Sequence, residues 1–188
     1  MPVSKKDSFR IIMALVAHYD LELHKMDVKT AFLNEDLEED VYMDQPVENI
    51  LYASVVGSLM YAQTCTRPDI SFAVGMLGRY QSNLGLEHWK AAKKVLRYLQ
   101  GIKNHMLTYR KSDHLEVKGY TDSDFAGCVD TRKSTFGYVY LLAEGEISWK
   151  SAKQSVITAS TMEAEFVACF EATVQANWLR NFISRLRE

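Results

Sequence analysis

The apolar positions of this chain change period along its length, and the changes mark out its elements. From Ser8 to Ala17 they fall at Phe9, Ile12, Leu15 and Val16, the spacing of one face of a helix. Glu22 to Val28 and Val41-Tyr42-Met43 read as short strands, with an acidic loop from Glu35 to Asp40 between them. Ala53 to Gln63 is helical in pattern. Pro68 suits the first turn of a further helix that runs to about Gln81. Leu86 to Gln100 is amphipathic, with Trp89, Ala92, Leu96 and Leu99 as its apolar stripe and Gly101 as its stop. Beyond it the period changes to two. Leu115–Asp122, Gly137–Leu142 and Ile147–Lys150 read as strands, the last two joined by a turn at Ala143-Glu144-Gly145-Glu146. A long helix follows from Thr161 to about Arg187, with Val167, Phe170, Val174, Trp178, Phe182 and Leu186 at helical spacing. The expected class is therefore mixed α/β, with three antiparallel strands and one long helix.

Composition narrows this only a little. Apolar residues make up 47% of the 188, enough for a sizeable core and too many for a disordered chain. No apolar run reaches the ~18–20 residues that span a bilayer. The lysines near the N-terminus precede no apolar block, so no secretory signal is expected. Three widely spaced cysteines and five histidines form no metal-ligand pattern and fit a reduced, intracellular setting, cytoplasm or nucleus.

Charge is more informative than its total of −2. Residues 1–47 carry five Lys/Arg and ten Asp/Glu, whereas residues 85–111 carry seven Lys/Arg and one Glu. On the helix 86–100, Lys90, Lys94 and Arg97 form a basic stripe opposite the apolar one, with Lys93 beside it. Such a stripe is either a phosphate footprint or an ordinary solvated face.

Three stretches hold candidate chemistry. In Tyr120-Thr121-Asp122-Ser123-Asp124-Phe125-Ala126-Gly127, Asp122 and Asp124 lie two apart at a strand end, on one side of an extended chain. Carboxylates so placed suit Mg²⁺, a hard ion that prefers oxygen ligands; a polar turn is the plainer reading. In Ser160-Thr161-Met162-Glu163-Ala164-Glu165, helix geometry with the stripe above puts Glu163 on the packed face, and Glu165 roughly 200° away toward solvent. The spacing Ser160-x-x-Glu163 is equally a capping box. The third is Asp27, at the end of a short strand, which alone is no more than a turn residue.

Taken together, these stretches resemble one family. Met26-Asp27-Val28-Lys29-Thr30-Ala31-Phe32-Leu33-Asn34, with Asp40-Val41-Tyr42-Met43 and Gln45-Pro46, resembles the first catalytic motif of copia-type retrotransposon reverse transcriptases. Tyr52–Tyr61 and Thr66-Arg67-Pro68-Asp69-Ile70 look like the segment after the polymerase core. Tyr120–Gly127, Arg132-Lys133-Ser134-Thr135, Ile147–Ser151, Lys153-Gln154-Ser155 and Glu163-Ala164-Glu165 resemble its ribonuclease H. The resemblance implies a division into a polymerase palm remnant (1–47), a helical connection region (48–111) and a truncated ribonuclease H-like domain (112–188). It implies that Asp27 matches the first metal-binding Asp of the polymerase, and Asp122 and Glu163 the first two ribonuclease H carboxylates, with Asp124 as a neighbour. Mg²⁺ and an RNA–DNA hybrid are the implied cofactor and partner. No membrane association is implied.

The departures from the family are as telling. No Tyr-Val-Asp-Asp occurs, Glu35 stands where the family has Gly, and no Cys-Asp-Asn follows the long helix. A two-metal site needs about four carboxylates. The expectation is a catalytically inactive fragment that retains nucleic-acid binding at most. The alternative is a Mg²⁺-dependent hybrid ribonuclease completed by carboxylates from another chain. An unpaired sheet edge is expected to favour self-association.

Overall fold

A computed structural model describes residues 4–21, 49–80 and 85–186. Its elements are α1 (Ser4–Tyr19), α2 (Asn49–Cys65), a short 3-10 turn (Pro68–Ile70), α3 (Ser71–Gly78), α4 (Leu86–Gly101), β1 (Val117–Ser123), β2 (Thr135–Leu142), β3 (Gly145–Lys153) and α5 (Thr161–Arg185). The strands form one antiparallel sheet in the order β1-β2-β3. The sequence-based mixed α/β class with three antiparallel strands is what the structure has. The strands expected within 22–28 and 41–43 lie outside the described residues, as does Asp27.

The β2–β3 hairpin closes through Ala143 and Glu144, both left-handed with φ of 49° and 66°. Positive φ at both central residues matches the right-handed twist of the flanking strands, which is why two-residue hairpins adopt it. Neither residue is a glycine, so the turn holds a conformation its side chains disfavour. A register shift at Tyr140/Leu141 places an extra residue, Ile147, in β3, and Ile147 is fully buried.

Two cores form. One gathers Tyr52, Val56, Leu59, Ile70, Val74, Leu77 and Ala92 from α2, α3, α4 and the short turn. The other gathers Tyr140, Leu142 and Ile147 from the sheet, Ala172, Leu179 and Ile183 from α5, and Ile11 and Ala14 from α1. Thus α1 covers the sheet beside α5, although the two are far apart in sequence.

The apolar stripes read from sequence are corrected in three helices. On α1, Phe9 and Ile12 are exposed, whereas Asp7, Arg10, Ile11 and Ala14 are buried. The cause is a buried polar knot. The Arg10 guanidinium donates to Asp7 Oδ1 at 2.9 Å, to Cys65 O at 3.2 Å and to Thr64 O, and stacks 3.7 Å from the Trp149 ring centroid. Asp7 Oδ2 accepts from Ser148 Oγ and from Gln175 Nε2, both at 2.9 Å. Trp149 Nε1 donates to Gln63 O at 2.8 Å. This knot ties α1, α2, β3 and α5 together. Burial pushes the Asp7 carboxyl above its ordinary range and pulls the Arg10 guanidinium down, each against its partner's charge.

On α5 the buried face is Ala164, Ala168, Ala172, Leu179 and Ile183, while Phe166, Phe170 and Val174 are exposed. In the first turns small residues let the helix approach the sheet closely and Phe166, Phe170 and Val174 are left outside; further along, Leu179 and Ile183 are buried and Trp178 and Phe182 of the expected stripe pack against the core. On α4, Val95 packs against the helical core and Leu96 is exposed.

Candidate carboxylate site and basic helix

The hydrogen-bond parity of β1 fixes what its end can do. Asp124 N donates to Thr135 O at 3.0 Å and Ala143 N to Glu116 O at 3.3 Å. Combined with the register, these bonds point the N–H and C=O groups of the even-numbered residues of β1 toward β2. The odd-numbered residues present theirs to the outer edge. Ser123 is one of them. Its N–H is met by two carboxylate oxygens, Asp122 Oδ1 at 2.9 Å and Glu165 Oε1 at 3.4 Å.

Two further bonds hold this junction. Gln154 Nε2 donates to Ser123 Oγ at 3.0 Å and to Ala164 O at 2.8 Å, stitching the first turn of α5 to the end of β1. Gln154 is 2% exposed, and its Oε1 has no hydrogen-bond partner among the described residues. With Ala164 and Ala168 against the sheet, Glu165 is the half-buried acidic residue beside β1.

Glu163 is the correction. It is exposed, and it does not lie on the packed face. Its N–H donates to Ser160 Oγ at 3.2 Å, and its Oε2 accepts from Ala159 N at 2.6 Å. The carboxylate turns back on the helix start and satisfies a backbone donor there. The phase of α5 is set by its alanines, and that phase carries Glu165 toward Ser123.

Asp124 is committed to local structure. Its Oδ1 accepts from Thr135 N at 2.7 Å and Gly127 N at 3.3 Å. A Cβ at residue 127 would overlap this carboxylate, so Gly127 is needed there. Asp122 also borders a cavity of about 460 Å³ on the sheet face away from α5, with Tyr120, Gly137, Val139, Trp149 and Phe72.

Could this donor set hold paired magnesium ions? Asp122 and Glu165 each give one oxygen to the same N–H, Asp124 is occupied, and Glu163 is spent on the cap. Among the described residues no group of three or more His, Cys, Asp or Glu is placed to hold a metal ion. The described residues do not fit a two-ion centre, which needs more carboxylates than converge among them.

The four basic residues of α4 are exposed. Lys90 Nζ lies 2.7 Å from Glu87 Oε1, Lys93 Nζ lies 5.0 Å from the Trp89 ring centroid, and Arg97 Nε donates to Lys93 O at 3.4 Å. Below them Arg67 and Asp69 pair at 2.6 Å, and Tyr98 Oη donates to Asp69 at 3.0 Å. The Arg67 hydrogen bonds hold the Asp69 carboxyl below its ordinary range. Among the described residues, no helix is long and apolar enough to cross a membrane.

Comparison with known proteins decides the family. Residues 1–54 match the family model described as reverse transcriptase (RNA-dependent DNA polymerase). The chain is 48% identical over 135 residues to the retrovirus-related Pol polyprotein from transposon TNT 1-94 of Nicotiana tabacum, a match covering 72% of the chain and 10% of that protein. It is 38% identical over 135 residues to the Pol polyprotein from transposon RE2 of Arabidopsis thaliana, covering 72% of the chain and 9% of that protein. The chain belongs to the copia-type retrotransposon Pol polyprotein family. A shorter relative, the secreted RxLR effector protein 161 of Plasmopara viticola, is 42% identical over 133 residues, 71% of the chain and 94% of that protein. The chain therefore spans about a tenth of the Pol polyproteins it matches but nearly all of that shorter relative. No solved structure matches it. Glu165, which the stripe reading placed toward solvent, and Gln154, quoted only within a motif, are the residues that meet Ser123. The signal for Glu165 was present in the repeat Ala164, Ala168, Ala172.

Proposed function

We propose that this Pol-family chain is an intracellular nucleic-acid-binding remnant with an incomplete ribonuclease H-type carboxylate site, and that alone it does not hydrolyse RNA–DNA hybrid. The observation that carries the reading is the pairing of Asp122 with Glu165 on the Ser123 N–H, with Asp124 and Glu163 engaged elsewhere. Two carboxylates leave most of the ion and oxyanion charge without a stabiliser, and the loss of one such group can cost ~10²–10³ in rate. The ribonuclease H-like assignment of the three strands and α5 belongs to this proposal. So does the polymerase role of Asp27.

Binding is assigned to α4. Its exposed Lys90, Lys93, Lys94 and Arg97 suit phosphates, which attract by charge and carry no sequence information. A labelled hybrid titrated at several salt concentrations tests this. The wild type should bind with salt-dependent affinity, and replacement of all four cations by Gln should weaken binding and flatten the salt dependence. Equal binding by the two proteins would remove α4 from the reading.

A second reading is a Mg²⁺-dependent hybrid ribonuclease whose missing carboxylates come from another chain. The convergence of Asp122 and Glu165 favours it. Hybrid cleavage that appears only on adding full-length Pol polyprotein and is lost in Glu165→Gln would establish it.

A further inference from the structure

The outer edge of β1 is a row of backbone groups with no strand beside it among the described residues. Val117, Gly119 and Thr121 present N–H and C=O to that edge, and so does the C=O of Ser123. The strand is seven residues long, and Tyr120 on it is 61% exposed. Such an edge is a template for a further strand. The charges on β1 say which strand fits.

We infer that a second copy of this chain adds to the sheet through β1, antiparallel and centred on Tyr120, to give a two-fold dimer with a continuous six-stranded sheet. Parity selects this register. Edge bonding must join odd-numbered residues, so Gly119 bonds Thr121 of the partner subunit, and Val117 donates to the carbonyl of Ser123 of the partner subunit. The even-numbered residues then form the closely spaced non-hydrogen-bonded pairs, with side chains nearest each other. In this register Lys118 lies opposite Asp122 of the partner subunit, and two-fold symmetry repeats the contact. Tyr120 meets the partner's Tyr120 between the two ion pairs. Shifting the pairing to centre on Gly119 places Lys118 against Tyr120 and loses both charge pairs. Lys118 Nζ lies 3.4 Å from Glu116 Oε2 and is exposed, so it is placed to change partner.

The groove beside the edge agrees with this arrangement. It holds about 450 Å³ and is lined by Leu115, Val117, Tyr140, Leu142, Ala176 and Ile183, among others, with apolar surface predominating. Carried two residues beyond Ser123, the same register brings the exposed Phe125 of the partner subunit toward Leu115 at the mouth of the groove. The inference does not depend on nucleic-acid binding, and either can fail alone.

Sedimentation velocity of the 188-residue chain over a range of concentrations tests it. A monomer–dimer equilibrium is expected, weaker at high salt. Lys118→Glu should raise the dimer dissociation constant about tenfold, because both symmetry-related contacts change from attraction to repulsion. The double variant Lys118→Asp with Asp122→Lys should restore it. Thr121→Pro removes an edge donor and should abolish the dimer while circular dichroism stays unchanged. A chain that stays monomeric throughout, or a dimer that Lys118→Glu leaves intact, overturns the proposal, and the charge variants decide it even if Thr121→Pro misfolds.

Discussion

Asp122 on β1 and Glu165 on α5 share one hydrogen-bond donor, the Ser123 N–H, at 2.9 and 3.4 Å. Two like charges are drawn to one point on the outer edge of the sheet. Each oxygen gains a donor, and the pair places two carboxylates from β1 and α5 around one N–H. A single divalent cation should sense it, and the two glutamates of α5 should respond differently to mutation. In a Mn²⁺ titration followed by paramagnetic broadening, Glu165→Gln should weaken cation binding and Glu163→Gln should leave it unchanged. Equal loss in both variants would contradict this placement of the helix.

Glu163 should instead appear in stability. Its carboxylate accepts from Ala159 N, so Glu163→Ala should cost about 1 kcal/mol in urea unfolding, the scale of a lost helix cap.

The Asp7–Arg10 knot predicts a larger effect. Both residues are 6% exposed. Removing one partner strands a buried charge, so Asp7→Ala should cost about 3–5 kcal/mol. Replacing both, as Asp7→Leu with Arg10→Met, should recover much of that loss. A cost near zero for the single variant would mean that α1 does not dock on β3.

Asp7 and Asp69 should tilt the acid limb of stability in opposite directions. The Asp69 carboxyl is held below its ordinary 3.8 by Arg67, so its contribution is present above that pH and is lost as pH falls through its lowered pKa. The Asp7 carboxyl is raised by burial, so its contribution is full below 3.8 and is lost as pH rises through its raised pKa. Urea unfolding across about pH 3 to 7 should show a shallower acid loss in Asp69→Asn and a steeper one in Asp7→Asn.

The hairpin turn offers a stabilising change. Glu144 is exposed with φ of 66°, and glycine takes that conformation without a Cβ penalty. Glu144→Gly should raise stability by about 1 kcal/mol, read as an increase in Tm. The opposite case is Gly119, where a Cβ would overlap the Tyr140 ring, so Gly119→Ala should destabilise by about 1–3 kcal/mol.

The strands, the hairpin and the start of α5 were legible because each has a local cause. Alternation marks β1 to β3, and Ser160 with Glu163 marks a helix N-terminus whatever follows. Helix phase was legible where large apolar residues face the core, as at Trp89 and Leu99, which pack around the buried Ala92. On the first turns of α5 the sheet takes the alanines and leaves Phe166 and Phe170 outside, so a rule that seeks large residues chooses the other side of the helix and points to Glu163, whereas Glu165 is the glutamate that reaches Ser123. On α1 the buried face is defined by Asp7 and Arg10, whose partners Ser148, Trp149 and Gln175 are more than a hundred residues away. No local pattern could announce that contact. The family motifs named Asp122 because the strand end is itself a local feature, but which carboxylate joins it at Ser123 depended on packing.

If too few carboxylates converge beside Ser123 for hybrid hydrolysis, the purified chain incubated with labelled RNA–DNA hybrid and Mg²⁺ should bind the hybrid in a salt-dependent way and cleave it no faster than an Asp122→Asn control. Cleavage by the wild-type chain that disappears in Asp122→Asn would contradict it.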